Sequence, residues 1–195
     1  MEPPIVHHHA VQFYGNDESL FTTVASFLSE GLIAGQPAII IATEAHRAAI
    51  THQLGARLID VEKARREGDL ILLDADDMLG MFMVGDVPGP HAFENNVGRF
   101  IEQALSNRTI SVVRAYGEMV DVLWKQGRED AAIRLEILWN TLASRYHFAL
   151  LCGYSMGSFY KKAEKFQQIC DQHTHVQVPD TKVVAFERRR AVKSA

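Results

Sequence analysis

Cysteine is scarce in this 195-residue chain, proline numbers only six, and no long apolar run is present. Two cysteines, Cys152 and Cys170, cannot build a disulfide framework and suit a reducing compartment. The longest stretch without Asp, Glu, Lys or Arg runs from Tyr146 to Tyr160 and contains His, Ser and Gly. A membrane-spanning helix needs ~20 predominantly apolar residues, so no membrane association is expected. The start, Met1-Glu2-Pro3-Pro4, lacks the basic and apolar regions of a secretory signal. What is present is ordinary globular material: 47% hydrophobic against 23% charged residues, enough for a substantial core. The expectation is a cytoplasmic protein.

An excess of basic charge is also missing. Twenty basic and 24 acidic residues give a net charge of −4. The basic residues Lys182, Arg188, Arg189, Arg190 and Lys193 crowd into the segment 181–195 against Glu187 alone. The body is therefore more acidic than the whole, which argues against a nucleic-acid face built on clustered Lys and Arg. The segment itself reads as a solvated basic tail, with contact to RNA, lipid or an acidic partner as the alternative.

Short apolar runs alternate with amphipathic ones. Val11–Tyr14 reads as a first strand, and Asn16 or Asp17 as the cap of a helix with Leu20, Val24, Phe27 and Leu28 on one face. Gly31 and Gly35 close it. Ala38–Ala42 has the continuous β-branched character of a strand buried on both sides. Thr43 caps a helix carrying His46 and Ile50, and a charged helix covers 60–67. The strand 69–73 follows, then a short helix over 78–83, a loop at 86–90 and a helix through Phe93, Val97 and Ile101. A fourth strand is read at 110–113. Two helices parted near Gly127 come next, the second placing Leu135, Leu138, Trp139 and Leu142 at core spacing. The last strand is Phe148–Cys152, and a final helix spans 162–173. Five apolar strands separated by helices predict an α/β three-layer sandwich with a mostly parallel central sheet of about five or more strands.

Phosphate-binding glycines are absent as well. The turn after the first strand, Tyr14-Gly15-Asn16-Asp17-Glu18-Ser19, has one Gly, no Lys and two carboxylates where phosphates would need backbone N–H groups and Lys. Gly153-Tyr154-Ser155-Met156-Gly157 outlines a nucleophile elbow, yet His173 and His175 follow too closely to leave room for the usual intervening strand. Consecutive residues in an extended chain point to alternate sides, so His7-His8-His9 makes a poor chelate, and His173-Thr174-His175 likewise. No metal site is assigned. Cys152 reads as a small buried hydrophobe, and Trp124 and Trp139 as packing residues. Ligands of such sheets bind beyond the strand carboxyl ends. There the sequence offers Tyr14, Thr43, Asp74, Asp76, Tyr116, Glu118 and Tyr154, with Arg114 just inside the fourth strand. Asp74, Asp76 or Asp77 with Glu118 could hold Mg²⁺ or serve as turn residues. Glu118 and Asp121 could be acid–base machinery, or could cap a helix or pair with a nearby Arg such as Arg114.

Several segments together resemble one family. They are 9–14, 27–32, 41–43 with His46 and Arg47, Arg114-Ala115-Tyr116-Gly117-Glu118-Met119-Val120-Asp121, Leu135-Glu136-Ile137-Leu138-Trp139-Asn140, Leu150–Tyr154, and Ile169-Cys170 with His173, His175, Val176 and Pro179. In this order they resemble the MEDS domain, the methanogen/methylotroph, DcmR-type sensory domain. The resemblance covers residues 7–180 as a single domain, leaving 181–195 as the basic tail.

The resemblance implies a sensory domain of prokaryotic signalling, found with histidine kinase or DNA-binding modules in two-component systems and transcription regulation. It further implies a small hydrocarbon-derived ligand and kinship with RecA/KaiC-like ATPases that have lost the phosphate loop. No catalytic set and no cofactor are implied. Motif matching singles out Tyr14, His46, Arg114, Tyr116, Glu118, Asp121, Asn140 and Tyr154 as ligand-binding positions. Tyr14, Tyr116 and Tyr154 are expected to pack on the ligand, with Arg114 and Glu118 as polar anchors. A kinase core or helix-turn-helix is not expected in this sequence, nor room for either after 180. The output is therefore expected to pass through a protein partner such as a histidine kinase or regulator, or through a homo-oligomer. Two alternatives stand beside this: a degenerate nucleotide-binding protein using Asp74 or Glu118 near Mg²⁺, and a pure protein–protein interaction module.

Overall fold

The computed structural model describes residues 8–109 and 112–179, together with the backbone of 184–185. His7, Ile110, Ser111 and the five basic tail residues lie outside the described residues. β1 (His8–Tyr14) opens the fold, longer by His8, His9 and Ala10 than its apolar core suggests. Asn16 caps α1 (Asp17–Ile33), its side-chain oxygen accepting the Ser19 N–H at 2.9 Å. Leu20, Val24 and Leu28 bury one face of that helix. Gly35, at φ +76°, supplies the left-handed turn after it. Gly31 does not close the helix. It lies inside α1, where a Cβ would come within 2.4 Å of the Arg114 Cγ.

The chain then alternates as expected. β2 (Ala38–Ala42) is buried throughout, and α2 (Glu44–Ala56) and α3 (Val61–Arg66) lead to β3 (Leu70–Asp74). α4 (Ala75–Phe82) runs into a small antiparallel pair, β4 (Met83–Val84) and β5 (Val87–Pro88), where a plain loop was expected. Gly85, at φ +59°, lets the chain reverse there. α5 (Pro90–Leu105), β6 (Val113–Gly117), α6 (Met119–Lys125) and α7 (Glu129–Leu142) follow. β7 (Phe148–Ser155), a 3-10 turn over Met156–Phe159, α8 (Ala163–Asp171), β8 (His175–Gln177) and β9 (Val184–Ala185) complete the described elements.

The fourth sequence strand is displaced toward its carboxyl side. β6 starts at Val113 because Val113, Ala115 and Gly117 face one layer while Arg114 and Tyr116 face the other, an alternation less conspicuous than the β-branched run before it. β8 adds a sixth parallel strand whose three residues carry little apolar signal. The final helix stops at Asp171 to release it.

The sheet order is β3-β2-β6-β7-β1-β8-β9, with β9 antiparallel and the other six strands parallel. α1, α2 and α3 pack on one face, around Leu20, Leu28, Ile40, Ile50 and Leu54. α4 to α8 cover the other, around Phe82, Phe93, Leu135, Trp139 and Leu150. Trp139 meets Phe93 edge-on at 5.1 Å between ring centroids. Two neighbouring pairs, β2 with β6 and β7 with β1, send their following helices to opposite faces. Such reversals open a crevice at the strand carboxyl ends, where ligands of open α/β sheets bind. Among the described residues no helix is long and apolar enough to cross a membrane.

Candidate functional site

Glu118 is the hub of the β2–β6 crevice. It caps the start of α6, is 3% exposed, and its N–H donates to the Ile41 carbonyl at 3.0 Å. Its Oε1 accepts the Thr43 N–H at 2.7 Å. Its Oε2 meets His46 Nδ1 at 2.6 Å and accepts the Tyr116 hydroxyl at 2.9 Å. Thr43 thus occupies the cap position of α2 without making a side-chain cap, its backbone serving Glu118 instead. Burial alone would raise the Glu118 pKa, but His46 and the Thr43 N–H together hold it below the usual carboxylate value. The same hydrogen bond raises the pKa of His46. Burial and the neighbouring carboxylate push the Tyr116 phenol up, so it stays a donor.

A second carboxylate stands three residues on, over the β7–β1 crevice. Asp121 Oδ2 accepts from the Tyr14 hydroxyl at 2.9 Å and from Lys125 Nζ at 2.8 Å, and Oδ1 accepts the Ser155 N–H at 3.0 Å. His46, Asp17 and Lys125 give this rim its contact with solvent, their side chains being 14%, 62% and 51% exposed. The Phe21 ring meets His46 edge-on at 5.0 Å. Glu118 and Asp121 are therefore paired with His46 and Lys125, and not with Arg114.

The structure brings Tyr14, His46, Tyr116, Glu118 and Asp121 together and sends the other three elsewhere. Arg114 sits near the amino end of β6, about 13 Å along the strand from Glu118 at ~3.3 Å per residue. It donates to Gln36 Oε1 at 2.9 Å and to the Phe27 carbonyl at 3.2 Å. There it lines an open groove of about 730 Å³ between α1 and the sheet, with His8, Phe27 and Gln177. Tyr154 and Asn140 belong to the opposite layer. Tyr154 is fully buried, stacked on Phe13 and edge-on to Trp124, so it does not reach the Tyr14 rim.

Other readings of the residues are narrowed. Asp74 caps α4, its Oδ1 accepting the N–H groups of Asp76 and Asp77 at 2.9 and 3.1 Å. Its Oδ2 pairs with Arg47 at 2.6 Å, which holds the carboxyl below its ordinary value. That leaves Asp74 little capacity for Mg²⁺. Ser155 lies in register with Tyr14, whereas His175 lies in register with Ala10, four positions or about 13 Å away. The two do not form a nucleophile–base pair.

In the layer beneath α7 the chain assembles a cluster that its spacing conceals. Glu136 is fully buried on α7 and accepts the Tyr154 hydroxyl at 2.9 Å. Around its carboxylate lie His9 Nε2 at 3.2 Å, His173 Nε2 at 3.5 Å and the Cys152 sulfur at 3.5 Å. Asn140 touches this cluster from behind, its Oδ1 3.1 Å from His9 Nδ1 while its Nδ2 donates to the Gln172 carbonyl. Burial, then the neighbouring His173, lowers the His9 pKa to about 4. Burial and the Glu136 charge push the Cys152 thiol well up. One signal was available: Glu136 falls four residues after Ala132 and three before Trp139, on the buried stripe of the helix.

The architecture has known counterparts. A KaiC-like protein from the hyperthermophilic archaeon Pyrococcus horikoshii OT3 superposes with a TM-score of 0.56 at 14% identity, covering 93% of this chain and 80% of that one. The fold is therefore RecA/KaiC-like. Residues 8–174 match the family MEDS, the MEthanogen/methylotroph, DcmR Sensory domain, and the chain belongs to that family. A search of curated proteins returns no significant match.

Proposed function

We propose that the domain is a non-catalytic sensory module whose small ligand docks at the strand carboxyl ends, against Tyr14, His46, Glu118 and Asp121. The observation that carries this reading is the Glu118 hub. A buried carboxylate fixed by a backbone N–H, a phenol and an imidazole sits at a topological crevice, with the imidazole partly open to solvent. The surrounding charge limits the ligand. The α1 N-terminus is already capped by Asn16 and followed by Asp17 and Glu18, so it repels the phosphates that a helix start would otherwise attract. The chemistry favours a neutral or cationic organic molecule, such as a small hydrocarbon derivative with a hydroxyl or amine. Contact at His46 alters its bond to Glu118, and through Thr43 the start of α2. A ligand moves such an equilibrium by its differential affinity for the two arrangements. The change then passes to a partner protein such as a kinase or regulator, or to a second copy of the chain.

A thermal-shift panel of small alcohols, amines, chlorinated and aromatic compounds, set against ATP with Mg²⁺, tests the proposal. A ligand at 100 times its dissociation constant stabilises by ~2.7 kcal/mol, visible as a shift of several degrees. The expected result is a shift with one organic class that is lost in His46→Ala and Glu118→Gln. A shift with ATP alone overturns it in favour of a nucleotide-binding role, and silence across the panel favours an interaction module.

A further inference from the structure

We propose that His9, Glu136, Cys152 and His173 form a structural zinc site in the layer beneath α7, separate from the rim. The four residues come from β1, α7, β7 and the turn after α8, and they converge with one nitrogen, oxygen or sulfur each, all within 4.8 Å of one another. The mutual spacings are 3.2 Å for His9 Nε2 to Glu136 Oε2, 3.4 Å for His9 Nε2 to Cys152 Sγ, 3.5 Å for Cys152 Sγ to Glu136 Oε2, and 3.5 Å for His173 Nε2 to the other oxygen, Oε1. A tetrahedron with Zn–N and Zn–O bonds of ~2.1 Å and a Zn–S bond of ~2.3 Å has edges of ~3.4–3.6 Å. His9 Nε2, Cys152 Sγ and Glu136 Oε2 stand 3.2–3.5 Å apart, close to those edges, and His173 Nε2 completes the set within 4.8 Å.

Both imidazoles are aimed by their other nitrogen. Asn140 presents its oxygen to His9 Nδ1, because its amide nitrogen is committed to Gln172, so Nδ1 carries the proton and Nε2 turns a lone pair inward. His173 donates from Nδ1 to the Ile169 carbonyl at 2.7 Å, which leaves Nε2 facing the cluster. His173 is 2% exposed and its Nε2 makes no hydrogen bond. Metal-ligating histidines are held in this way, by an Nδ1–H bond to a carbonyl or carboxylate behind the ring. Tyr154 does the same for Glu136. Without an ion the Cys152 thiol donates to Glu136, and a divalent cation bound there would displace that proton and give the thiolate, the carboxylate and both imidazole lone pairs one shared positive centre. A donor set of two imidazoles, a thiolate and a carboxylate suits Zn²⁺. All four side chains are shut off from solvent, leaving no open coordination position, so the role is structural. The ion would tie the turn before β8 to β1 and α7.

The test uses the full chain, stripped with a chelator and checked for retained helix content by circular dichroism. Refilling with Co²⁺ as a spectroscopic stand-in is expected to give one ion per chain, tetrahedral visible bands and a near-ultraviolet thiolate charge-transfer band. Cys152→Ser removes the thiolate band, and His173→Gln lowers the stoichiometry. Adding Zn²⁺ to the stripped wild type raises its melting temperature by about 5–10 °C at 100 times the dissociation constant, and not that of Cys152→Ser. A stripped, folded wild type that takes up neither ion overturns the proposal. So does a cobalt spectrum unchanged by Cys152→Ser. Because wild-type uptake is read directly, a variant that fails to fold leaves the test standing.

Discussion

Two buried glutamates organise this domain, and their surroundings differ in one decisive respect. Glu118 and Glu136 each accept a tyrosine hydroxyl from a nearby strand, Tyr116 and Tyr154 respectively, and each faces histidine. Glu118, however, also receives a backbone N–H, and its histidine reaches the surface. Glu136 receives no backbone donor among the described residues and lies sealed between two imidazoles and a thiol. The first carboxylate is saturated by donors and linked to solvent through His46. The second accepts from a hydroxyl and a thiol, and two imidazole nitrogens face it with no path to solvent. Similar residue types therefore meet opposite surroundings: one carboxylate reaches solvent through His46 at the rim, the other is closed off inside.

The comparison can be broken by substitution. The largest effect is expected at the sealed site, where Glu136→Ala takes the carboxylate from Tyr154, His9, His173 and Cys152 with no water to replace it. The expected cost is ~3–5 kcal/mol in urea unfolding. Glu118→Gln keeps the shape and loses the charge under His46 and Tyr116, so ~2–3 kcal/mol is expected by the same measurement. Gly31→Ala tests a control position away from both clusters, driving a methyl into the Arg114 stem for ~1–3 kcal/mol. Lys125→Met removes a half-exposed partner of Asp121, and less than ~1 kcal/mol is expected.

A pH series sharpens the same contrast. His46 has a raised pKa in the folded state, so its stabilising contribution is complete below 6.5 and fades as pH climbs through the raised value. The lowered Glu118 contributes fully above 4.5 and loses its share as pH falls below that. The gap in melting temperature between the wild type and His46→Ala should therefore be widest between pH 4.5 and 6.5 and narrow above it. A gap that fails to narrow as pH rises above 6.5 would show that the two groups are not coupled.

The rim was legible in the residues and the sealed cluster was not, for a physical reason. Tyr116, Glu118 and Asp121 sit within one six-residue stretch at a strand end, where the chain itself places chemistry beside chemistry. His9 and His173 are separated by nearly the whole chain and meet only because β8 pairs with β1. Short-range spacing carries no trace of that meeting. The strands β2, β3 and β7 were plain because they are apolar along their length. β6 was displaced by its alternating Arg114 and Tyr116, and β8 was missed because three residues are too few to register a period. Arg114, Tyr154 and Asn140 were grouped with the rim by motif. The pleat sends Tyr154 to the layer opposite Tyr14, and four strand positions separate Arg114 from Glu118.

The placement of β1 also sets an order of events during synthesis. Of the described parallel strands, the earliest in the chain, β1, lies between the two latest, β7 and β8, and its Thr174–His9 backbone bond spans most of the sequence. At ~5–20 residues per second, β1 spends on the order of ten seconds without either neighbour. Its stretch from Ala10 to Tyr14 is without both sheet partners during that interval. Contacts of such long sequence separation place the domain among the slow folders.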